Sequence, residues 1–304
     1  MTLALDLVRA MRPRQWVKNV FVLPALVFAR RLTDVDAVLH TIAVFAAFSL
    51  LASAVYLIND VADVERDRHH PTKRNRPIAA GKVSIRVALV VAAFLGAAGL
   101  GAGWWLSVPT GVVLTTYALI NGLYSVWLKH VPLLDVFLIA FGFLLRVLAG
   151  AAAIAVGVSP WLLICTFFVA LFLAFCKRRA ELVDLGDDAH QHRSALTGYV
   201  DVYVDHVLAA LTGMTVMSYA LYTIDANVLG RLGTDALVLT LPPFTFGVFR
   251  YLFLVHAHGL GGSPTELVLS DRGLQATGLL WLVITIAAIY LHVQIGLTGP
   301  GAGL

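Results

Sequence analysis

Long apolar segments separated by short polar ones dominate this chain of 304 residues. Several of the segments exceed the roughly 18 apolar residues that a membrane-spanning α-helix requires. A transmembrane barrel is disfavoured, because its strands would alternate apolar and polar residues. The pattern predicts nine spanning helices, of which the first and sixth are short, at residues 16–30, 37–58, 85–106, 108–128, 133–156, 160–176, 205–224, 233–255 and 275–296.

The composition agrees with a membrane protein. Hydrophobic residues make up 59% of the chain and charged residues 13%, whereas a soluble domain carries about 25% charged residues. The mean hydropathy is +0.84 and the pI is near 9.2. Because the basic residues lie at membrane boundaries, this pI does not indicate nucleic-acid binding. We therefore predict an all-α polytopic membrane protein that forms one transmembrane domain over residues 1–304.

The distribution of basic residues predicts the orientation of the chain. In the nine-helix layout, 18 of the 22 Lys and Arg residues fall on one side of the membrane. Only Arg30, Arg31 and Arg231 fall on the other side, and Arg146 lies within a span. Since cytoplasmic loops carry the excess of Lys and Arg, we expect a cytosolic N-terminus and an outer C-terminus in a bacterial plasma membrane.

Four oxygen-bearing side chains follow the second predicted span. If its helix continues past Ile58, then Asn59, Asp63 and Asp67 recur at i, i+4 and i+8, and Asp60, Asp63 and Asp67 at i, i+3 and i+7, so that both sets lie along one stripe. Carboxylates on one stripe repel each other unless a cation lies between them, and such oxygen ligands suit Mg²⁺. These four residues are the candidate metal ligands. The alternative interpretation is a solvated helix end with polar caps.

Basic side chains occur at the same membrane boundary. Arginine binds phosphate oxygens with two parallel hydrogen bonds and lysine acts as a point charge, so acids and bases together indicate chemistry on a phosphorylated substrate at a lipid surface. The alternative is that these charges only set the topology. The candidate phosphate-binding residues are Arg14, Lys18, Lys73, Arg74, Arg76, Lys129, Lys177, Arg178, Arg179 and Arg193.

Arg146 lies near the centre of the fifth predicted span. A charge at this depth is costly and is expected to face the interior of the helix bundle. It is either a ligand for a phosphate carried by a lipid or a partner in an internal ion pair, for example with Asp135. The ten histidines form no convincing ligand set, and no phosphate-binding P-loop is present.

Two motifs resemble a known family. Asn59-Asp-x-x-Asp-x-x-x-Asp67 followed by Arg76-Pro, and Tyr124-x-x-x-x-Lys129, resemble the UbiA superfamily of intramembrane prenyltransferases. The resemblance covers nearly the whole chain. It implies nine transmembrane helices around a laterally open cavity that faces the cytosol.

Three further runs resemble the decaprenyl-phosphate phosphoribosyltransferases within that superfamily. They are Arg12-Pro-Arg-Gln-Trp-Val-Lys-Asn19, His70-Pro-x-Lys-x-x-Arg-Pro-Ile-Ala-x-Gly81 and Cys176-Lys-Arg-x-Ala-Glu-Leu182. The resemblance implies a Mg²⁺-dependent transfer of 5-phosphoribose from phosphoribosyl diphosphate (PRPP) to a polyprenyl (decaprenyl) phosphate, releasing diphosphate. The product would supply arabinan synthesis in an actinobacterial cell wall.

The expected site combines these residues. Asp63, Asp67, Tyr124 and Lys129 are the candidate catalytic residues, with the last two acting on the diphosphate or the lipid phosphate. Lys177, Arg178 and Arg193 are candidates for the 5-phosphate. The full set expected to bind substrate is Arg14, Lys18, Asn19, Lys73, Arg76, Arg146, Lys177, Arg178, Glu181 and Arg193.

One departure from the superfamily pattern is informative. Typical members carry a second Asp-rich motif after the sixth helix, but here Lys177-Arg-Arg-Ala-Glu181 takes that place, with Asp184, Asp187 and Asp188 out of register. A donor with an additional phosphate would favour cations here. The alternative functions are a prenyltransferase that moves a polyprenyl chain onto an aromatic acceptor, and a lipid or small-molecule transporter. A homo-oligomer is neither required nor excluded.

Overall fold

A computed structural model describes residues 2–71, 73–185 and 200–296 of the chain. Within these ranges all regular structure is helical. The first half contains α1 (Leu3–Met11), α2 (Leu23–Phe28), α3 (Val35–Ala62), α4 (Val64–His69), α5 (Ile85–Leu106) and α6 (Val108–Val126). The second half contains α7 (Leu134–Ala153), α8 (Pro160–Leu185), α9 (Asp201–Ile224), α10 (Ala226–Leu232), α11 (Leu241–His258), α12 (Pro264–Ser270) and α13 (Arg272–Tyr290).

Seven helical segments in the described ranges are long and apolar enough to cross a membrane. The protein is therefore an integral, multi-pass membrane protein, as the hydropathy pattern predicts. The seven are α3, α5, α7, α8, α9, α13 and the segment Ala236–His258, which joins a short 3-10 helix to α11.

Two of the nine predicted spans are not among these seven. Residues 16–30 do not form one long helix, but a 3-10 helix, Pro13–Val22, followed by the short α2. Pro24 contributes to this break, because it has no amide hydrogen to donate to the preceding turn. Residues 108–128 do form a helix, α6, over Val108–Val126, but it is not among the seven. The expectation of nine spans stays a prediction.

The sixth predicted span ends later than the sequence indicated. We expected residues 177–204 to form a polar loop, but α8 continues to Leu185. The reason is local: Lys, Arg, Ala, Glu and Leu all favour helix, and Lys177 lies 3.7 Å from Glu181 one turn further along. Lys177, Arg178 and Glu181 therefore lie on a helix rather than in a loop.

The described chain divides into two compact units. The first comprises Met1–Leu26, Leu32–Lys129 and Leu145–Gly157, and the second comprises Val27–Arg31, His130–Leu144 and Val158–Leu304. In the first unit α3 packs against α5 so closely that a Cβ on Gly99 would lie 2.9 Å from the carbonyl oxygen of Ala47. Small residues permit this approach of two backbones. In the second unit, α9, α10 and α13 surround an apolar cluster that includes Tyr222, Leu232 and Ile289.

Candidate active site

The acidic segment lies where the longest helix of the first unit ends. Helix α3 runs for 28 residues and continues past Ile58, as expected, but it stops at Ala62. Asp63 occupies the turn, with its amide bonded to the carbonyl of Asn59, and α4 begins at the next residue. The continuous stripe that the sequence predicts is therefore broken at Asp63.

Asp60 and Asp67 still converge, because one guanidinium contacts both. Nη1 of Arg76 lies 3.2 Å from Oδ1 of Asp60 and 2.6 Å from Oδ2 of Asp67. A second guanidinium, that of Arg12, also donates to Oδ1 of Asp60. Asp60 and Asp67 are only 2% and 3% exposed, and buried carboxylates of this kind require cationic or hydrogen-bonding partners.

Asp63 points to a different cation. Nζ of Lys129 lies 3.0 and 3.1 Å from the two carboxylate oxygens of Asp63, and Arg66 approaches within 3.5 Å. Lys129 lies in a short 3-10 helix beyond the end of α6. The structure thus brings together Asp63 and Lys129, which the sequence named as candidate catalytic residues.

The oxygen atoms of the four candidate metal ligands suit a hard cation, but the side chains do not converge on one point as the ligands of a metal site do. Among the described residues, no three Asp, Glu, His or Cys side chains form a group that could hold a metal ion. However, Oδ1 of Asn59 and Oδ2 of Asp60 are buried and have no hydrogen-bond partner in the described structure. Oxygen atoms of carboxylates and amides are the ligands that Mg²⁺ takes.

Arg146 is buried in a polar cluster of the first unit. Its Nε donates to Oδ1 of Asn19 over 2.9 Å, and Nη2 donates to the hydroxyl of Tyr117 over 3.0 Å. The guanidinium also lies 5.3 Å from the ring centre of Phe48 and 4.9 Å from that of Tyr117. Nδ2 of Asn19 in turn donates to Ser49 of α3. Arg146 therefore faces the interior of its unit, as its depth in the sequence predicted.

Four other candidates of the first unit lie near its polar end or on its surface. Lys18 is partly buried, and the positive charges of Arg146 and Arg12 act on it. Arg14 and Lys73 are exposed. Tyr124 is partly buried near the C-terminal end of α6, shortly before Lys129 in the sequence.

The candidates on α8 lie in the second unit. Arg178 is completely buried and pairs with Asp135, its Nε lying 3.0 Å from Oδ2, and with Glu181. Asp135, which the sequence offered as a partner of Arg146, is thus the partner of Arg178. Arg193 lies outside the described residues, as do Asp187, Asp188 and the side chain of Asp184.

The sequence analysis missed one residue of this site. Arg12 was not a candidate, but it contacts Asp60, which is 48 positions away in the chain. The only signal was its place at the start of the Arg12–Asn19 run. The expected cytosolic cavity stays a prediction. A shallow groove is present in the second unit, where it is lined by Phe249, Leu252, Phe253 and His256.

Comparison with known proteins agrees with the motifs. Residues 19–264 match the model of the UbiA prenyltransferase family. A decaprenyl-phosphate phosphoribosyltransferase of Corynebacterium glutamicum is 36% identical, over 95% of this chain and 88% of that protein. The protein of the same name from Mycolicibacterium smegmatis is 37% identical, over 93% of this chain and 92% of that protein.

Solved structures agree with the fold. A UbiA homologue from Archaeoglobus fulgidus bound to DMAPP and Mg²⁺ superposes with a TM-score of 0.70 at 18% identity, covering 94% of this chain and 99% of that one. An apo UbiA homologue from Aeropyrum pernix gives a TM-score of 0.62 at 17% identity, over 91% and 96% of the two chains. The motifs, the helical fold and the match over most of its length establish that this chain belongs to the UbiA prenyltransferase family.

Proposed function

We propose that this protein transfers 5-phosphoribose from PRPP to a polyprenyl phosphate, of the decaprenyl class, and releases diphosphate. The observation that carries the proposal is the match to proteins named decaprenyl-phosphate phosphoribosyltransferase at 36% and 37% identity, over 95% and 93% of the chain. A cluster of three acids and four bases in the first unit supports it. The whole chain, 1–304, acts as one transferase domain.

Asn59, Asp60, Asp63 and Asp67 would hold a divalent ion, for which Mg²⁺ fits their oxygen atoms. The buried, unpartnered oxygens of Asn59 and Asp60 support this assignment. The bound ion would supply positive charge beside the leaving diphosphate. The ion would lie at the polar end of α3, where the hydropathy pattern predicts the membrane boundary.

The basic side chains of the first unit stabilise the charge that develops during transfer. The bond between C1 of the ribose and the diphosphate oxygen breaks, and the electron pair leaves with the diphosphate. Arg76, Lys129 and Tyr124 bind the departing group, since preorganised charges and hydrogen-bond donors of this kind lower the barrier most. A phosphate oxygen of the lipid forms the new bond to C1. This oxygen is already anionic, so no histidine is required as a general base.

The remaining candidates bind the other phosphates. The buried Asn19 and Arg146, together with the partly buried Lys18, would bind the phosphate of the lipid, and exposed Arg14 and Lys73 attract the donor. Lys177, on α8, is the described candidate for the 5-phosphate, together with Arg193. Glu181 holds Lys177 and Arg178 in place.

The proposed setting is the cytosolic face of a bacterial plasma membrane, where PRPP is available. The lipid product would supply arabinan for an actinobacterial cell wall. The excess of basic residues on one side of the predicted layout supports this orientation.

Product identification tests the proposal. Purified protein in lipid nanodiscs receives isotope-labelled PRPP with decaprenyl phosphate, and mass spectrometry follows the phosphoribosyl lipid. We expect Asp63→Asn and Asp67→Asn to lower the transfer rate by about 10²–10³-fold, the effect of removing one preorganised charge. Asp36→Asn is the matched control, because Asp36 lies in the first turn of the same helix, α3. Near-normal transfer in both site variants would refute their assignment.

A second candidate has its own support. The family model carries the name prenyltransferase, and the Archaeoglobus homologue was solved with a prenyl diphosphate. The alternative is therefore transfer of a polyprenyl chain to an aromatic acceptor. The same protein receives a prenyl diphosphate with an aromatic acid in a parallel reaction. A prenylated product there, with no phosphoribosyl lipid in the first reaction, would replace our proposal by this one.

A further inference from the structure

The three carboxylates at the end of α3 are matched by three cations. Asp60 contacts Arg12 and Arg76, Asp67 contacts Arg76, and Asp63 contacts Lys129. The formal charges of these six side chains cancel. A fourth cation, Arg66, also lies 3.5 Å from Asp63, but its side chain is 60% exposed and its charge is therefore screened by solvent.

The arginines are held less firmly than the acids. Asp60 and Asp67 are almost completely buried, whereas the side chains of Arg12 and Arg76 are 28% and 29% exposed. Arg76 reaches both carboxylates through a single nitrogen, Nη1. The guanidinium of Arg12 also lies 5.0 Å from the ring centre of Tyr56, a contact that can hold it near the site without Asp60.

A balanced, largely buried cluster resists any single added charge. A divalent ion alone would leave an excess of positive charge, and a diphosphate alone would leave an excess of negative charge. An uncompensated charge in a buried site is costly. The charges of a divalent ion and a diphosphate largely offset each other, so the two added together disturb the balance less than either alone. The ion takes the carboxylates and the diphosphate takes the arginines.

We propose that Arg12 and Arg76 are exchangeable counterions, which leave Asp60 and Asp67 for the diphosphate of the donor when the carboxylates take a divalent ion. Arginine suits both positions, since its planar N–H fork matches carboxylate and phosphate oxygens alike. The two ligands therefore bind with positive coupling. The inference rests on the proposed function only in taking the donor to be a diphosphate.

The exchange predicts opposite effects on the two ligands, which binding measurements detect without turnover. Arg76→Gln frees Asp67, and Arg12→Gln leaves Asp60 with one arginine instead of two, so both variants should bind a divalent ion alone more tightly. The same variants should bind diphosphate in the presence of the ion more weakly. The expected size of each change is about 5- to 150-fold, the usual range for coupling between two sites.

The experiment uses the full chain in nanodiscs. Mn²⁺, which takes the same oxygen ligands, is titrated alone and followed by electron paramagnetic resonance. Radiolabelled inorganic pyrophosphate is titrated separately, with saturating Mg²⁺ and with EDTA. Arg68→Gln is the control, because Arg68 is a neighbouring arginine whose ion pair, with exposed Glu65 on α4, lies outside the acidic cluster, so this variant should change neither affinity. Arg12→Lys, which keeps the charge, should bind Mn²⁺ as the unaltered protein does.

The outcomes separate cleanly. Tighter Mn²⁺ binding with weaker pyrophosphate binding, in either glutamine variant that keeps its thermal unfolding midpoint, supports the exchange. Unchanged or weaker Mn²⁺ binding in both variants overturns it. Pyrophosphate that binds the unaltered protein equally well with Mg²⁺ and with EDTA also overturns it. If the exchange holds but no phosphoribosyl lipid forms, the proposed function fails alone; if the lipid forms without the exchange, only this inference fails.

Discussion

Asp135 and Arg178 form the most deeply buried ion pair among the described residues, with both side chains fully inaccessible. Such a pair adds little net stability, but removing one partner leaves an uncompensated buried charge. From the sequence, Arg178 was predicted to bind the substrate because it is one of several basic residues that follow the sixth predicted span. Its burial and its partner, 43 positions earlier in the numbering, follow only from the packing of α7 and α8.

Arg178→Met separates a structural role from a role in binding. We expect it to lower the free energy of unfolding by about 3–5 kcal/mol, because Asp135 is left buried without its cation. The double variant Asp135→Asn/Arg178→Met should recover most of this loss. Unfolding by denaturant in detergent, with phosphoribosyl transfer measured beside it, provides the check.

The neighbouring residue serves as the control for that experiment. Arg179 pairs with Asp205 in a partly exposed position, and Arg179→Met should cost no more than about 1 kcal/mol, as expected of surface pairs. If Arg178→Met were fully stable yet inactive, Arg178 would act on the substrate, as the sequence suggested.

At the scale of elements, a close backbone contact positions the Arg146 cluster. A Cβ on Gly150 of α7 would lie 2.1 Å from the carbonyl oxygen of Val22, at the end of the 3-10 helix Pro13–Val22. Asn19 lies on that 3-10 helix and Arg146 lies one turn before Gly150. The absence of a side chain at Gly150 therefore fixes the distance at which Arg146 reaches Asn19.

Gly150→Ala should separate these two elements. We expect a loss of about 1–3 kcal/mol, the usual cost of overpacking, and weaker transfer because Arg146 is displaced from Asn19. The readouts are the thermal unfolding midpoint and the KM for decaprenyl phosphate. Gly101→Ala on α5 is the control, since no atom lies within 4 Å of its Cβ position, and it should be neutral or stabilising by up to about 1 kcal/mol. Equal behaviour of the two variants would contradict the packing role of Gly150.

At the scale of the molecule, the length of α3 relates the acidic segment to the membrane. Its 28 residues span about 42 Å at 1.5 Å per residue, which exceeds the roughly 30 Å hydrocarbon core of a bilayer. Asp36 and Asp60 thus lie at opposite ends of a helix that is longer than the hydrocarbon core is thick. The basic residues accumulate at the Asp60 end in the predicted layout.

Cysteine labelling in intact cells tests the orientation. We expect a membrane-impermeant maleimide to label Asp36→Cys from outside, because the positive-inside rule places that end of α3 on the outer face. Lys82→Cys, just before α5, should react only after the cells are lysed. Both positions are exposed in the first unit. The unaltered chain, with Cys165 and Cys176, measures the background, and the reverse labelling pattern would invert the proposed topology.

The amino-acid sequence by itself determined the helical membrane fold, the family and most of the acidic and basic residues of the site. Apolar periodicity and short motifs are local properties of the sequence, and they do not depend on how the helices pack. The end of α8 was misplaced because polarity was taken to mark a loop, although those residues favour helix.

Only the tertiary structure decided which cation serves which carboxylate. Arg12 reaches Asp60 across 48 positions and Lys129 reaches Asp63 across 66, and no spacing rule connects residues so far apart. The turn at Asp63 directs its carboxylate to Lys129 and leaves Asp60 and Asp67 to Arg12 and Arg76. These pairings depend on how helices approach each other, because charges in a low-dielectric interior are neutralised by whichever partner the packing brings near.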